Sequence, residues 1–128
     1  MRVLFSGSRK FADDEAVIEM LEGLIKKVGG DPSKITVVHG GAPGLDSVVG
    51  ILAKSMGMKV EVHEADWHIH AKAAGPIRNQ KMVDLGANLL VAYPLPGGSG
   101  TQDCIARAVK AKIQTFVFDS VGRTYSKK

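Results

Sequence analysis

The stretch Ile35-Thr36-Val37-Val38-His39-Gly40-Gly41-Ala42-Pro43-Gly44-Leu45-Asp46 decides the fold. Ile35 to Val38 is a short β-branched run, the pattern of a buried strand. It runs straight into His39-Gly40-Gly41. From residue 44 to 56, Leu45, Val48, Val49, Leu52 and Met56 recur along one side of a helix, and Gly57 is its expected C-cap. A strand that passes through a glycine-rich turn into an amphipathic helix is half of a βαβ unit, and the same alternation continues in both directions.

Upstream, Val3-Leu4-Phe5 reads as a first short strand. Residues 12 to 28 form a helix with Val17, Leu21, Leu24, Ile25 and Val28 on its apolar face. Asp13 and Asp14 stand where carboxylates cap a helix N-terminus. Gly29-Gly30-Asp31-Pro32 breaks the chain before the quoted strand. Downstream, Lys59 to His63 alternates as a third strand, and Glu64 to Ala74 reads as an irregular loop. Pro76 to Leu85 is a helix, Asn88 to Tyr93 a strongly apolar strand, and Pro94 to Gly100 a glycine-rich loop. Thr101 to Lys112 is a fourth helix and Gln114 to Phe118 a fifth strand. The spacing predicts a single α/β, Rossmann-like, three-layer domain over residues 1–118, with a parallel five-stranded sheet, and a frayed C-terminal tail over 119–128.

Composition limits the function. The 128 residues suit one domain, and 45% hydrophobic with 23% charged residues is ordinary for a globular protein. The lone Cys104 forms no internal disulfide and supports no thiolate zinc site, which fits a reducing compartment. No apolar run approaches the roughly 20 residues that cross a bilayer. Arg2 is followed by too few apolar residues for a signal peptide. A cytoplasmic protein with no membrane partner is expected. The net charge of +4 and pI near 9.3 favour anionic partners. The basic residues are scattered and only 5% of residues are aromatic, which argues against nucleic acid as the partner.

Ligands of open parallel α/β sheets bind beyond the carboxyl ends of the strands. Three unusual loops fall there: Ser6-Gly7-Ser8-Arg9, Gly40-Gly41-Ala42-Pro43-Gly44-Leu45-Asp46, and Pro96-Gly97-Gly98-Ser99-Gly100-Thr101. A glycine-bearing turn that opens into a helix presents free N–H donors and the positive end of the dipole to a phosphate. One such turn is most simply a tight turn; three at the ends of one small sheet point to a ligand. The pattern is neither the dinucleotide fingerprint nor a P-loop.

The residues Gly7-Ser8-Arg9, Val38 to Asp46, Ala65-Asp66-Trp67, Gly75-Pro76-Ile77-Arg78-Asn79, Met82 and Ser99-Gly100-Thr101 resemble the YspA-like branch of the SLOG superfamily over about residues 2 to 118. That superfamily joins the DNA-processing protein DprA/Smf with the "lonely guy" phosphoribohydrolases, and many members of this branch come from bacteria and phages. The resemblance implies a Rossmann-like sheet that binds nucleotides or nucleotide-derived ligands. It places Arg78 and Met82 on the hydrolases' Arg-Lys-x-x-Met stretch. Pro96-Gly97-Gly98-Ser99-Gly100-Thr101 falls on their Pro-Gly-Gly-x-Gly-Thr-x-x-Glu stretch. The glutamate position is Cys104, which removes the expected acid–base group. Asp103 is one residue away, but that is about a 100° rotation on a helix.

Ligand contacts are therefore expected from Gly7, Ser8, Arg9, Gly40, Gly41, Gly44, Asp46, Trp67, Arg78, Asn79, Gly97, Gly98, Ser99, Gly100 and Thr101. Arg78 offers a planar fork for phosphate, or pairs with Asp84 or Glu64 on the surface. Arg9 reaches the same anion or caps the sheet edge. Asp46 contacts ribose, acts as a base, or complements its helix dipole. Trp67 stacks on a base or covers the core edge. His63, His68 and His70 match no zinc spacing, so no metal or other cofactor is expected. Cys104 reads as a small buried residue, since the only strand-end base for it is His39. The first functional reading is a nucleotide or ADP-ribose-like sensor or sequestering protein, forming a homodimer or larger oligomer because Ile51 lies off the apolar stripe of its helix. The second is a nucleoside-monophosphate phosphoribohydrolase using Asp103 or Asp46, and the third is DprA-like binding of single-stranded DNA.

Overall fold

The computed structural model describes residues 1–94, 99–118 and 125–128. Its strands are β1 (Arg2–Gly7), β2 (Thr36–His39), β3 (Lys59–Val62), β4 (Leu89–Tyr93), β5 (Gln114–Phe118) and β6 (Tyr125–Lys127). Its helices are α1 (Asp14–Lys27), α2 (Leu45–Ser55), α3 (Trp67–His70), α4 (Ala74–Asp84) and α5 (Ser99–Lys110), with 3-10 turns at Pro32–Lys34 and Ala71–Ala73. The strands form one sheet in the order β3-β2-β1-β4-β5-β6. All pairings are parallel except β5 with β6.

Side chains alternate across a strand, and here both faces are covered. Val3, Phe5, Val37, Leu89, Val91 and Tyr93 pack with Val17, Leu21 and Leu24 of α1 and Leu45, Val49 and Ala53 of α2. Leu4, Val38, Leu90 and Ala92 face the other way, onto Met82 and Val83 of α4 and Cys104, Ile105 and Ala108 of α5. Double burial explains why the fourth strand reads as an unbroken apolar run. Asp13 caps α1 by accepting from the Ala16 N–H at 3.1 Å. Ile51, off the buried stripe of α2, is 71% exposed.

The Rossmann-like α/β expectation holds, with three differences of detail. A sixth strand, Tyr125–Lys127, joins the sheet antiparallel, where the sequence suggested only a frayed tail. Its Tyr125 ring meets Phe116 edge-on at 4.9 Å. The loop after β3 contains the one-turn helix α3, and Ala71 after it takes φ 49°, a conformation unfavourable for a residue with a Cβ. Helix α4 begins at Ala74, two residues before Pro76. Proline is tolerated there because the first four N–H groups of a helix have no intrahelical acceptor.

The strand order reverses direction between β1 and β4. Helices α1 and α2 lie on one face and α4 and α5 on the other, and in open α/β sheets such a switch point is where ligands bind, here beyond the carboxyl ends of β1, β2 and β4.

Candidate functional site

At the end of β1, the chain is fastened rather than free. The Ser8 carbonyl accepts the N–H groups of Phe11 at 3.2 Å and Leu45 at 3.1 Å. Ser8 is buried, and its hydroxyl accepts from the Lys10 N–H at 3.1 Å. Gly44 is the N-cap of α2, with φ 80°, and a Cβ there would strike the Ser8 carbonyl and the Arg9 backbone. Gly7 lies directly under Leu45. Gly7, Ser8 and Gly44, expected as ligand contacts, thus serve to seat the first turn of α2 on the end of β1. Arg9 is exposed.

The end of β2 carries a clamp around one peptide. Asp46, in the first turn of α2, turns back so that its Oδ2 accepts from the N–H groups of Gly40 and Ala42, both at 3.2 Å. Its Oδ1 is buried without a hydrogen-bond partner among the described residues. From the opposite helix layer, Arg78 donates through Nη1 to the Gly40 carbonyl at 2.7 Å, and through Nε to Asn79 Oδ1 at 2.9 Å. A Cβ on Gly40 would collide with the guanidinium. Arg78 pairs with neither Asp84 nor Glu64; among the described residues it makes no ion pair, and its second Nη has no partner. His39 Nδ1 accepts the Gly41 N–H at 2.9 Å, which places its ring proton on Nε2.

Asn79 joins α4 to α5. Buried, it donates through Nδ2 to the Gly100 carbonyl at 3.2 Å and to Asp103 Oδ2 at 3.0 Å. Arg107 donates to the same Asp103 oxygen at 2.9 Å. The amide of Asn79 is consumed in holding Arg78 and the first turn of α5, so it positions the site. Thr101 is buried, and Ser99 and Gly100 are exposed at the start of α5. Gly97 and Gly98 lie outside the described residues.

The electrostatics separate the candidate acids. Burial pushes Asp46 up to about 6, against the pull of its two N–H bonds and of Arg78. Burial acts on Asp103 too, but the bonds from Arg107 and Asn79 outweigh it and leave its carboxyl below the usual range. Burial raises the Cys104 thiol to about 11, and the side chain is fully enclosed. Cys104 is therefore a packing residue, as its position implied. Burial and the nearby Arg78 lower His39, which keeps it neutral.

Asp46 predicts a pH signature. Its folded pKa lies above the ordinary carboxylate value, so between about pH 4 and 6 the folded state holds the proton more tightly than the unfolded chain. The stability contribution is present below this window and is lost as pH rises through it. At about 1.4 kcal/mol per unit, the loss is roughly 2–3 kcal/mol. Urea unfolding of wild type and Asp46→Asn from pH 4 to 7 checks this: the difference in their stabilities should change across the window by that amount and level off above it.

Outside the clamp, Trp67 begins α3 and is 50% exposed. His63 instead pairs with Glu61, Nε2 to Oε2 at 2.7 Å, and Arg2 grips the same carboxylate at 2.8 Å, which holds Glu61 down at about 2. Among the described residues, no three histidine, cysteine or carboxylate side chains are grouped to hold a metal ion. No described helix is long and apolar enough to cross a membrane.

Residues 1–70 match YAcAr, the YspA, cpYpsA-related SLOG family. The chain belongs to this family. A phage relative, the Gene 61 protein of Mycobacterium phage D29, is 37% identical over 122 residues, covering 91% of this chain and 95% of that protein. Two solved structures share the SLOG fold. DNA processing protein A from Streptococcus pneumoniae superposes with a TM-score of 0.72 at 17% identity, over 92% of this chain and 50% of its own. The Helicobacter pylori protein, reported for its single-stranded DNA binding mode, gives 0.67 at 17% identity, over 93% and 65%. This SLOG chain thus spans between half and two thirds of those proteins. The likeness corrects the expectation that set nucleic acid aside. A protein of this fold binds single-stranded DNA, so scattered lysines and few aromatics do not exclude such a partner.

Proposed function

We propose that this SLOG protein binds a nucleotide or nucleotide-derived, ADP-ribose-like phosphate ligand beyond the carboxyl ends of β1, β2 and β4, as a sensor or sequestering protein. The observation that carries this reading is Arg78: an arginine held in place by Gly40 and Asn79, with no carboxylate partner among the described residues and one guanidinium nitrogen unspent. A planar cation fixed in this way is suited to a phosphate. The exposed start of α5 adds N–H donors and the positive end of a helix dipole.

Binding fits the side chains better than cleavage of an N-glycosidic bond. Where the hydrolytic relatives' motif has glutamate, this chain has the enclosed Cys104, and Asp103 is tied to Asn79 and Arg107. Asp46 has the more suitable pKa for acid–base work, but both its oxygens are directed into the protein.

A second reading, single-stranded DNA as the phosphate-bearing ligand, is favoured by the Helicobacter pylori neighbour. Calorimetric titration of AMP, ADP-ribose and a short oligothymidylate distinguishes the two. The first reading expects a mononucleotide to bind at least as tightly as the oligomer, and Arg78→Ala to weaken it about tenfold or more. Tighter oligomer binding with a steep salt dependence favours DNA. Unaltered affinity in Arg78→Ala overturns the proposed site.

A further inference from the structure

We propose that the exposed indole of Trp67 is the base-stacking surface of this site, so that the ligand is an aromatic nucleoside phosphate rather than a bare phosphate or a sugar phosphate. This rests on the phosphate-binding reading of Arg78. Half of the Trp67 surface is open to solvent. Its place is nevertheless fixed. Asp66 caps α3 by accepting the Ile69 N–H at 3.2 Å, and the indole Cη2 atom lies 3.4 Å from the position a Gly75 Cβ would take. The unfavourable φ of Ala71 is tolerated in the turn that lays α3 beside α4.

The neighbourhood names the occupant. Gly75 and Arg78 are three residues apart on α4 and so share a face, about 5–6 Å apart at their Cβ positions. The indole therefore lies against α4 at a position one helical turn from the residue that carries the guanidinium. Aromatic surface beside a phosphate-seeking cation matches the two ends of a nucleoside 5′-monophosphate: the ring stacks and the phosphate pairs. Inorganic phosphate and ribose 5-phosphate can use only the cation.

Trp67 is the sole tryptophan of the chain, so intrinsic fluorescence reports on it alone. The probes are AMP, ribose 5-phosphate and inorganic phosphate, with affinities from calorimetry. The inference expects AMP to change the fluorescence and to bind about tenfold more tightly than ribose 5-phosphate. Trp67→Ala should erase that preference and leave ribose 5-phosphate affinity unchanged, while Trp67→Phe, which keeps an aromatic face, should retain most of it. Melting curves identify any variant that fails to fold, in which case Trp67→Phe and the wild-type fluorescence decide. Equal affinity for AMP and ribose 5-phosphate, with both weakened by Arg78→Ala, overturns the stacking role and leaves the phosphate site standing. Binding indifferent to Arg78→Ala, or no binding of any probe, overturns both.

Discussion

Gly44→Ala is expected to destabilise the protein by about 3 kcal/mol or more, enough to threaten folding of a domain this size. Two costs combine. At φ 80° and ψ −127° an alanine is strained by roughly 1–3 kcal/mol. Its Cβ would also strike the Ser8 carbonyl and the Arg9 backbone, and neither can give way easily. The same Ser8 carbonyl accepts from Phe11 and Leu45, so moving it breaks the seat of α2 on β1. Gly23→Ala is the control. Gly23 lies within α1, where an added Cβ meets nothing within 4 Å, so that change should be neutral or slightly stabilising. Urea unfolding of the two variants measures the contrast.

The second large effect falls on binding and not on stability. Gly40→Ala places a methyl where the Arg78 guanidinium sits. The colliding atoms are the far end of a flexible side chain, so the arginine swings away and the backbone remains. The Gly40 N–H still reaches Asp46, and its φ is not in the left-handed region. The expected result is a protein that melts within a few degrees of wild type but binds its phosphate ligand about tenfold or more weakly, as Arg78→Ala does.

Much of this was legible in the sequence, for physical reasons. A strand buried on both faces must be apolar throughout, and Leu89 to Tyr93 is. Helix stripes such as Leu45, Val49 and Ala53 follow from one-sided burial. Arg78 stood out because the resemblance placed it on the hydrolases' Arg-Lys-x-x-Met stretch and a planar fork of donors suits a phosphate. What the sequence hid depends on distant backbone. Tyr125-Ser126-Lys127 is too short and exposed to announce a strand, and its pairing partner is chosen by the chain's path. The fixing roles of Ser8 and Gly44 run through a carbonyl, which leaves no mark on side-chain patterns. Asn79 read as a ligand contact because nothing local reveals that its amide is consumed by Arg78, Gly100 and Asp103. The case against nucleic acid failed because composition averages over the surface, whereas a binding groove needs only local charge.

The central claim is that a phosphate-bearing nucleotide docks on Arg78 where it is clamped to Gly40. Calorimetric titration of AMP and ADP-ribose into wild type and Gly40→Ala, at fixed salt and with both proteins shown to be folded, tests it most directly. The account predicts measurable binding of at least one nucleotide by wild type and a loss of about tenfold or more in the variant. Equal affinity in the two proteins, or no binding by wild type, would contradict it.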